Sequence, residues 1–478
     1  MHPPHVSPAV LRGKTKIVAT LGPASAEPEI LEKLVLAGVD VFRLNFSHGT
    51  WEWHSDTLAR VRTVSERLGH PVAVLQDLCG PKLRLGEIPG GSFQCRLGAK
   101  ILLVAQPSGA GNELPVSHAS LLDDLDVGNE VLLADGIVTL RVLRRLDAGL
   151  ETEVTLPGEV RSRQGISAPG VSLRLEPLTE KDLRDLDWSA RHDVEFIGLS
   201  FVRRPADVDR LRQELAQRGC KAQIIAKIEK AEALGDLDGI IDRADGIMVA
   251  RGDLGVDIDV ARVPIVQKEV IRRCNQRGKP VITATQMLES MRTSNRPTRA
   301  EASDVANAIL DGSDAIMLSA ETATGLYPVE SVSTMARIAT ATEAMLAKLA
   351  TRLGREPGAD IRTATVDCAG QLADQVGARW LVAATRHGDT ALALSRQRNL
   401  TPILGLSDQP ETVRRMALYW GVLPVWFTAP HGTAEYVERV VAWARSHELA
   451  NPGDRIVFVL GAAWGESSYN ALLVHQIT

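Results

Sequence analysis

Short runs of apolar residues alternate with helical patterns over the first part of the chain and again over its middle. Before residue 79 the runs are KIVATL (16–21), VFRLNFS (41–47) and PVAVLQDL (71–78). Five more follow after residue 172, separated by helical stretches: EFIGLSFV, QIIAKIE, GIMVARG, PVITATQML and AIMLSAET. Eight strand–helix units are typical of a parallel (β/α)8 TIM barrel. Alternation alone would also permit a doubly wound sheet, but the number of units favours the barrel.

Two other regions have a different pattern. Between residues 79 and 172 the apolar runs are short and turns are frequent, without a convincing amphipathic helix, which indicates an inserted β domain. After a loop at LGREPGAD, the runs RWLVAAT, PILGLS, VLPVWF and RIVFVLG alternate with helical segments. We therefore predict an α/β chain of three domains: a split barrel over 1–78 and 173–346, a β domain over 79–172, and a smaller α/β domain over 347–478.

Composition narrows the class of protein. The 478 residues carry a net charge of −5 and only 4% are aromatic, so neither charge nor base-stacking side chains suggest nucleic acid binding. Five cysteines without a C-x-x-C pair argue against a disulfide framework and favour a reducing compartment. The N-terminus lacks a signal-peptide pattern, and no run approaches the roughly 20 apolar residues of a spanning helix. We predict a cytoplasmic protein that binds neither nucleic acid nor a membrane.

The charged end of QIIAKIEK (223–230) is unusual for a buried strand, because a core cannot hold such charges unpaired. Polar residues also follow other predicted barrel strands, and the full set is Arg43, Asn45, Ser47, His48, Asp77, Lys227, Glu229, Arg251, Asp253, Thr285, Gln286, Ser319 and Glu321. The downstream ends of barrel strands meet on one face, where barrel enzymes place their chemistry. The upstream ends are aliphatic by comparison. The pattern predicts one shared site at the downstream mouth.

Glu229 and Asp253 are predicted one strand apart, and hard carboxylate oxygens suit Mg²⁺ or Mn²⁺. Lys227 points the same way as Glu229 on a strand, where an ammonium can stabilise charge on a phosphoryl group or an enolate. For this pair alone a salt bridge at the rim is an equally good interpretation. Gly252 and Gly255 flank Asp253, and exposed amides in such a turn can hold a carboxylate or phosphate, although a plain strand-to-helix turn has the same composition.

Seven segments in order resemble the pyruvate kinase family: TKIVATLGPAS, RLNFSHG, QDLCGPKLRLG, AKIEKAEA, IMVARGDLGVD, PVITATQMLESM and RPTRAEASDVANAILDGSDAIMLSAETATG. The ending ALLVHQIT is similar more weakly. The resemblance implies a split barrel with a β-barrel lid domain and a C-terminal α/β regulatory domain, usually as a homotetramer. It also implies the glycolytic transfer of a phosphoryl group from phosphoenolpyruvate to ADP, which gives pyruvate and ATP.

Carried over position by position, the resemblance implies roles at the mouth. Glu229 and Asp253 hold the divalent ion, and Lys227 stabilises the transferring phosphoryl group and the enolate. Backbone amides near Gly252 and Asp253, with Thr285, hold the carboxylate end of pyruvate, and Thr285 lies on the face from which the enolate is protonated. The remaining implied roles are phosphate binding by Arg43, nucleotide binding by Asn45, His48 and Arg84, and extension of the proton route by Ser319 and Glu321.

The resemblance also implies a monovalent cation site, with oxygen ligands from Asn45, Ser47, Asp77 and the carbonyl of Leu78. Many K⁺-dependent members have glutamate where this chain has Lys82, and lysine there is the pattern of members that work without K⁺. An ammonium can supply the same positive charge beside the phosphates. We therefore predict activity that needs Mg²⁺ or Mn²⁺ but not K⁺; the alternative is that Lys82 points into solvent.

Two departures from the family pattern concern ligand binding outside the mouth. In the lid, Gln164 stands where the family has a lysine that helps to hold nucleotide phosphate, so Arg161 or Arg163 is a candidate substitute. In the C-terminal domain, ATRHGDTALALSRQRN resembles a sugar-phosphate site. The residues of that segment that fit are Thr385, Gly388 and Thr390, whereas His387 and Asn399 depart from the family pattern. A phosphorylated effector and a purely structural turn are equally good interpretations.

Two other functions agree with parts of the pattern. A different barrel enzyme that handles enolpyruvate, such as a lyase or a dikinase, would also use a metal and paired carboxylates. It would not need Lys227, Arg43 and the β insert together, and no phosphorylatable histidine domain is predicted. A catalytically silent, effector-binding relative is disfavoured by the intact set of polar residues at the mouth. ADP-dependent formation of pyruvate separates the three hypotheses.

Overall fold

The structure, a computed structural model, describes residues 13–109, 111–171, 174–349, 361–428, 432–460 and 471–478. The first segment alternates strands and helices in the order β1 (Lys16–Thr20), α1 (Pro28–Ala37), β2 (Val41–Asn45), α2 (Trp51–Leu68) and β3 (Ala73–Asp77). Local capping sets the ends of α2. The Thr50 side chain accepts a hydrogen bond from the Trp53 amide at its start, and Gly69 adopts a left-handed conformation (φ 61°) at its end.

The insert that follows β3 is rich in sheet. Its elements are β4 (Ser92–Cys95), β5 (Lys100–Val104), β6 (Glu113–Pro115), α3 (Ser120–Asp124), β7 (Glu130–Leu133), β8 (Val138–Leu146), β9 (Gly149–Leu156), β10 (Gly158–Arg161) and β11 (Ile166–Ser167). A six-stranded sheet has the order β11-β7-β8-β9-β5-β6, and β10 pairs with β4 separately. The prediction of a separate β domain is confirmed; among the described residues its strands form these two sheets and not one closed ring.

The chain then returns to alternating strands and helices. These elements are α4 (Glu180–Ser189), β12 (Phe196–Leu199), α5 (Pro205–Gln217), β13 (Gln223–Ile228), α6 (Leu237–Arg243), β14 (Gly246–Ala250), α7 (Arg251–Asp257), α8 (Val263–Gln276), β15 (Val281–Ala284), α9 (Arg299–Leu310), β16 (Ala315–Leu318), α10 (Ala320–Ala323) and α11 (Pro328–Leu349). The strands close in the order β1-β16-β15-β14-β13-β12-β3-β2, every neighbouring pair parallel. The predicted eight-stranded barrel is therefore confirmed.

The C-terminal part is a second α/β layer structure. Its elements are α12 (Ile361–Gln375), β17 (Trp380–Ala384), α13 (Asp389–Arg396), β18 (Ile403–Ser407), α14 (Pro410–Met416), β19 (Val422–Trp426), α15 (Thr433–Ser446), β20 (Arg455–Leu460) and β21 (Ala471–Gln476). The sheet order is β19-β18-β17-β20-β21, and the last strand, which the sequence pattern did not predict, is antiparallel. LGREPGAD lies outside the described residues, and the predicted domain boundaries stay predictions.

The upstream ends of the barrel strands are not aliphatic, and that expectation was wrong. Four acidic residues stand immediately before alternate strands, and each carboxylate accepts the backbone amide of the neighbouring strand at 2.7–2.9 Å. The pairs are Asp40 with Ile17, Glu195 with Val74, Asp245 with Ile224, and Asp314 with Val281. Because the first amides of a strand end would otherwise lack partners, these carboxylates complete the hydrogen bonding of the barrel base.

The C-terminal domain packs on this base through its arginines. Arg396 and Arg398 both pair with Asp314, whose side chain is fully buried, and Arg414 pairs with Glu195. Lys16, at the start of β1, donates to the carbonyl of Val422 at 2.8 Å. The downstream mouth is therefore the end of the barrel that the C-terminal domain leaves free. Among the described residues no helix combines the length and the apolar character that crossing a membrane requires.

Candidate active site

Lys227, near the end of β13, is the centre of an ion cluster at the downstream mouth. Its Nζ lies 3.1 Å from Asp77 Oδ1 and 2.9 Å from Glu229 Oε1, and it donates to Ser200 Oγ at 2.8 Å. The side chain of Lys227 is 9% exposed and those of the two carboxylates are 1% exposed. A salt bridge at an exposed rim is therefore the wrong interpretation of Lys227 and Glu229, because the pair is buried and shares a third ion.

Burial and charge have opposite effects on the titration of this cluster. Burial alone would lower the pKa of Lys227, but the Asp77 and Glu229 carboxylates outweigh it and raise that pKa. Burial would likewise raise the pKa of Asp77, yet Lys227 and Arg43 hold it below its usual value. For Glu229 burial prevails over Lys227, and the negative charges of Asp253 and Asp77 add to the rise in its pKa. Lys227 is thus a permanent cation among acids.

Arg43, in β2, is the second cation of the cluster. Its Nη2 lies 2.6 Å from Asp77 Oδ2, and its Nη1 donates to Thr20 Oγ1 at 3.1 Å. Asp77 therefore lies between two cations that come from β2 and β13. This arrangement fixes the direction of both positively charged side chains at the mouth, where an anionic phosphate would find them preorganised.

Glu229 and Asp253 follow adjacent strands, β13 and β14. Glu229 Oε2 accepts the Phe201 amide at 2.7 Å, whereas Asp253 is 37% exposed and lies 3.5 Å from the Lys82 ammonium of the insert. No cluster of three or more His, Cys, Asp or Glu ligands occurs among the described residues. Two carboxylates still fit Mg²⁺, because this ion is often bound by one or two carboxylates while substrate oxygens and water complete its shell.

Thr285 lies just beyond β15 and contacts the start of α7. Its Oγ1 accepts the Gly252 amide at 2.8 Å. Thr285 and Gln286 both have left-handed backbones, with φ of 71° and 54°, which is rare for a β-branched residue such as threonine. The segment Arg251–Asp253 is not an open glycine turn, because α7 begins directly at Arg251. The structure thus brings Gly252 and Thr285 together, as the sequence predicted.

Comparison with known proteins establishes the family. The family model described as "Pyruvate kinase, barrel domain" matches residues 12–332, and "Pyruvate kinase, alpha/beta domain" matches residues 363–475. The chain belongs to the pyruvate kinase family. A pyruvate kinase of Sporosarcina psychrophila is 41% identical over 472 residues, which cover 97% of this chain and 80% of that protein.

Two further relatives agree. A pyruvate kinase of Staphylococcus aureus (strain MRSA252) is 39% identical, again over 97% of this chain and 80% of that protein. The crystal structure of a pyruvate kinase from Cryptosporidium parvum matches with a TM-score of 0.91 at 33% identity, covering 99% of this chain and 98% of that chain. The predicted membership of the pyruvate kinase family is confirmed.

Three of the four residues predicted to hold a monovalent cation in a pyruvate kinase have oxygens that already contact protein groups. Asn45 Oδ1 accepts the Ser47 amide at 3.1 Å, the Leu78 carbonyl accepts Ser200 Oγ at 2.8 Å, and Asp77 is paired as described. The structure therefore places Asn45, Ser47, Asp77 and Leu78 in one region around the ends of β2 and β3, but it engages three of the four in internal contacts.

The residues predicted to reach the nucleotide come from two domains, Asn45 and His48 from the barrel and Arg84 from the insert. His48 follows β2, and burial, Arg84, Arg43 and Lys82 together lower its pKa. Arg84 belongs to the insert and donates to the Arg163 carbonyl at 3.1 Å. The pocket between the two domains is lined by residues that include Lys82, Gly165, Arg203, Lys230 and Asp253.

Several other predicted residues make local contacts. Glu321 accepts the amides of Ser319 at 2.7 Å and Leu288 at 3.1 Å, so both carboxylate oxygens tie loops together. Gln164 accepts the Arg161 amide at 2.7 Å. Arg161 and Arg163 are 72% and 78% exposed and pair with glutamates of the insert.

The predicted effector segment is an internally bonded turn. Thr385 Oγ1 accepts the Gly388 amide at 2.9 Å, and Gly388 has φ of 94° just before α13. Thr390 lies in the first turn of α13 and is half-buried. The contacts of Thr385 and Gly388 are those of a strand-to-helix connection, and effector binding there stays a prediction.

Sequence reasoning missed contributions of the fourth barrel strand. Ser200 and Phe201, directly after β12, bind Lys227 and Glu229. The only local signal is a serine immediately behind the buried run EFIGL. Thr20, which binds Arg43, ends β1 in the same way. Both would have been found by treating every strand end alike.

Proposed function

We propose that this protein transfers the phosphoryl group of phosphoenolpyruvate to ADP and gives pyruvate and ATP. The observation that carries the proposal is Lys227, held in a buried cluster between Asp77 and Glu229 at the barrel mouth. A fixed cation at this position can stabilise negative charge both on the transferring phosphoryl group and on the enolate that it leaves. Phosphoryl transfer requires chiefly positioning and charge stabilisation of this kind.

Arg43 and Lys227 are the proposed phosphate-binding cations. Asp77 anchors both of them from one carboxylate, with contacts of 2.6 and 3.1 Å. Because neither side chain has to be ordered when the substrate arrives, little conformational entropy is lost on binding. We propose catalytic roles for Lys227 and Arg43 on this ground, and for Thr285 from its place beside Gly252 at the mouth.

Glu229 and Asp253 are the proposed ligands of Mg²⁺ or Mn²⁺. When bound, the ion would act as a Lewis acid that neutralises charge on phosphate and carboxylate oxygens. The position of the two acids supports this assignment, since they follow the adjacent strands β13 and β14 and Asp253 is partly exposed to the cleft. Gly252 and Asp253 amides, together with Thr285, are proposed to hold the substrate carboxylate, and Thr285 to lie on the protonation face, with Ser319 and Glu321 as an extension of the proton route.

Activity without K⁺ is proposed from Lys82. Its ammonium lies 3.5 Å from Asp253 and the side chain is only 33% exposed, so it supplies a positive charge inside the cleft instead of pointing into solvent. The occupied oxygens of Asn45, Asp77 and Leu78 support the same proposal. A K⁺ ion would have to displace or share these partners.

Nucleotide and regulatory contacts complete the proposal. Asn45, His48 and Arg84 are proposed to bind ADP from both walls of the cleft. Thr385, Gly388 and Thr390 are proposed as the core of a phosphorylated-effector site. From the family we further propose a cytoplasmic homotetramer that binds neither nucleic acid nor a membrane.

A lactate-dehydrogenase-coupled assay tests the proposal. Pyruvate formation should require phosphoenolpyruvate, ADP and Mg²⁺ together, and most of the rate should persist when K⁺ is replaced by tetramethylammonium at equal ionic strength. Formation of pyruvate without ADP would contradict phosphoryl transfer. Loss of most activity in tetramethylammonium would contradict only the proposal on K⁺. Sugar phosphates and AMP, added singly, test the effector site.

A further inference from the structure

Arg251 is a buried cation that the proposed chemistry does not use. It is the first residue of α7, and its side chain is 9% exposed. Its Nη1 pairs with the Asp304 carboxylate of α9 at 2.8 Å. Its Nη2 donates to the carbonyl oxygens of Thr285 at 2.7 Å and Gln286 at 3.2 Å. The guanidinium therefore connects α9 with the loop that follows β15.

The two carbonyls that Arg251 binds belong to two consecutive residues with left-handed backbones. Thr285 and Gln286 have φ of 71° and 54°, a conformation that costs free energy for any residue with a Cβ and most for a β-branched one. Such a conformation persists only where surrounding contacts hold it. Charge-assisted hydrogen bonds from one rigid guanidinium to both carbonyls are contacts of that kind.

The side chain of Thr285 is held from the neighbouring position. The Gly252 amide donates to Thr285 Oγ1 at 2.8 Å, and a Cβ at Gly252 would lie 3.3 Å from the same oxygen. Arg251 thus holds the backbone of Thr285 while Gly252 orients its hydroxyl. Because the oxygen already accepts this amide, the hydroxyl hydrogen stays available to donate to another group.

We propose that Arg251 is a positioning residue for Thr285. It keeps the backbone of Thr285 and Gln286 left-handed and thereby aims the Thr285 hydroxyl at the position where the enolate carbon is protonated. Asp304 in turn holds Arg251. The inference rests on the role proposed above for Thr285. A purely structural Arg251 would join α9 to the β15 loop without any special effect on proton transfer.

The test separates proton transfer from the complete reaction. Wild type, R251M, R251K, T285A and the double variant R251M/T285A are compared in two assays. The first is the coupled assay. The second follows exchange of the methyl hydrogens of pyruvate for deuterium in heavy water by proton NMR: a C3–H bond breaks to give the enolate, and a C3–D bond forms from solvent. R67M, which removes an exposed arginine paired with Glu32, is the matched control.

We expect R251M and T285A each to slow the methyl exchange by about tenfold to hundredfold, the loss typical of a displaced catalytic group. The KM for phosphoenolpyruvate should change little in R251M, whereas T285A also removes a proposed contact to the substrate carboxylate. R251K should lie between, since lysine can donate to one carbonyl but cannot form the fork. The double variant should be no slower than T285A, because residues that act through one another are not additive. Losses that multiply, or a slow coupled assay with normal exchange, would overturn the inference.

If R251M does not fold, D304N provides a second test, because it keeps Arg251 but weakens the ion pair that holds it. D304N should slow the methyl exchange less than R251M, and the double variant D304N/T285A should be no slower than T285A. If the losses of D304N and T285A multiply in the double variant, the inference is wrong. If wild type forms no pyruvate from phosphoenolpyruvate and ADP, the proposed function fails rather than the role of Arg251.

Discussion

At the upstream end of the barrel, the carboxylates of Asp40, Glu195, Asp245 and Asp314 each accept a strand amide and pair with a cation. At the downstream end, the acids also meet cations, but one acid is buried beside other negative charges. Burial is the main cause of the raised pKa of Glu229, and the charges of Asp253 and Asp77 add to the rise while Lys227 opposes it. Asp253 is 37% exposed to the cleft.

This difference indicates that the charged residues at the upstream end stabilise the fold, whereas those at the downstream end are available to a ligand. Among the upstream acids, Glu195 and Asp314 pair with arginines of the C-terminal domain, and all four accept the amide of a strand end. Downstream, Asp253 keeps access to the cleft while Glu229 is buried, and Thr285 stands nearby with a left-handed backbone. Perturbed groups of this kind tend to collect at functional sites, because a bound ion or substrate supplies the missing compensation.

The largest effect is expected from removing the central cation of the downstream site, Lys227. Lys227→Met should lower the rate of pyruvate formation by about a hundredfold to a thousandfold, the usual effect of deleting a charge-stabilising donor. The coupled assay measures it, with Lys33→Met on the exposed face of α1 as control. A loss smaller than about tenfold would show that Lys227 is not at the reacting group.

The reciprocal experiment removes an upstream carboxylate. Asp314→Asn should destabilise the protein by about 3–5 kcal/mol, because it leaves buried cations without their partner. The arginines affected, Arg396 and Arg398, have side chains that are 10% and 22% exposed. Turnover per folded molecule should stay near that of wild type. Urea unfolding and the coupled assay measure the two quantities.

Asp209→Asn is the matched control for this experiment. Asp209 forms an exposed pair with Arg243 at 3.3 Å, and such pairs contribute about 0–1 kcal/mol. If Asp314→Asn behaves like Asp209→Asn, or if it reduces turnover as Lys227→Met does, the distinction between the two ends is wrong.

A smaller effect is expected at the edge of the downstream site. Lys82→Gln removes the ammonium near Asp253, so activity in tetramethylammonium should fall by about tenfold, equivalent to about 1.4 kcal/mol, and K⁺ should restore part of it. The control is Lys100→Gln, which alters an exposed lysine of the insert that is 4.0 Å from Glu151. It should change neither the activity in tetramethylammonium nor the response to K⁺. A variant at Lys82 that stays fully active without K⁺ contradicts the assignment.

The smallest effect concerns pH and the loop that carries His48. Burial lowers the pKa of His54, only partly opposed by its hydrogen bond with the His48 carbonyl at 3.0 Å. As the pH falls, the unfolded chain therefore binds a proton at His54 more readily than the folded chain does. The contribution of neutral His54 to the free energy of unfolding is complete above the unfolded pKa of about 6.5 and is lost as the pH falls below it.

Replacing His54 should therefore flatten the pH dependence of unfolding. In His54→Gln the fall in the apparent Tm between about pH 7 and pH 5 should be smaller than in wild type by about one or two degrees. His387→Gln, an exposed histidine, should keep the wild-type slope. An unchanged slope in His54→Gln would mean that His54 titrates normally in the folded protein.

Much of the candidate site could be predicted from the residues that follow each barrel strand, but some contacts could not. Lys227, Glu229 and Asp253 were predicted at one mouth because charges behind buried runs must emerge somewhere common. Asp77, which the family resemblance implies as a cation ligand, also holds Arg43 and Lys227 in the structure, and the cation site stays a prediction. The upstream acids were overlooked, since a single acid inside VDVF or VEFI has no periodic signal.

The sequence by itself determined the number of barrel strands, the position of the β insert and the end of the barrel where polar groups collect. These are local properties, since alternation and strand-end polarity are read within a few residues. Tertiary structure alone decided which ions share partners, which acids bind the strand ends at the base, and which threonine with a left-handed backbone accepts a hydrogen bond from Arg251. Those outcomes depend on contacts between residues that are far apart in the chain: Asp77 at the end of β3 meets Lys227 of β13 across β12, and Arg251 of α7 meets Asp304 of α9.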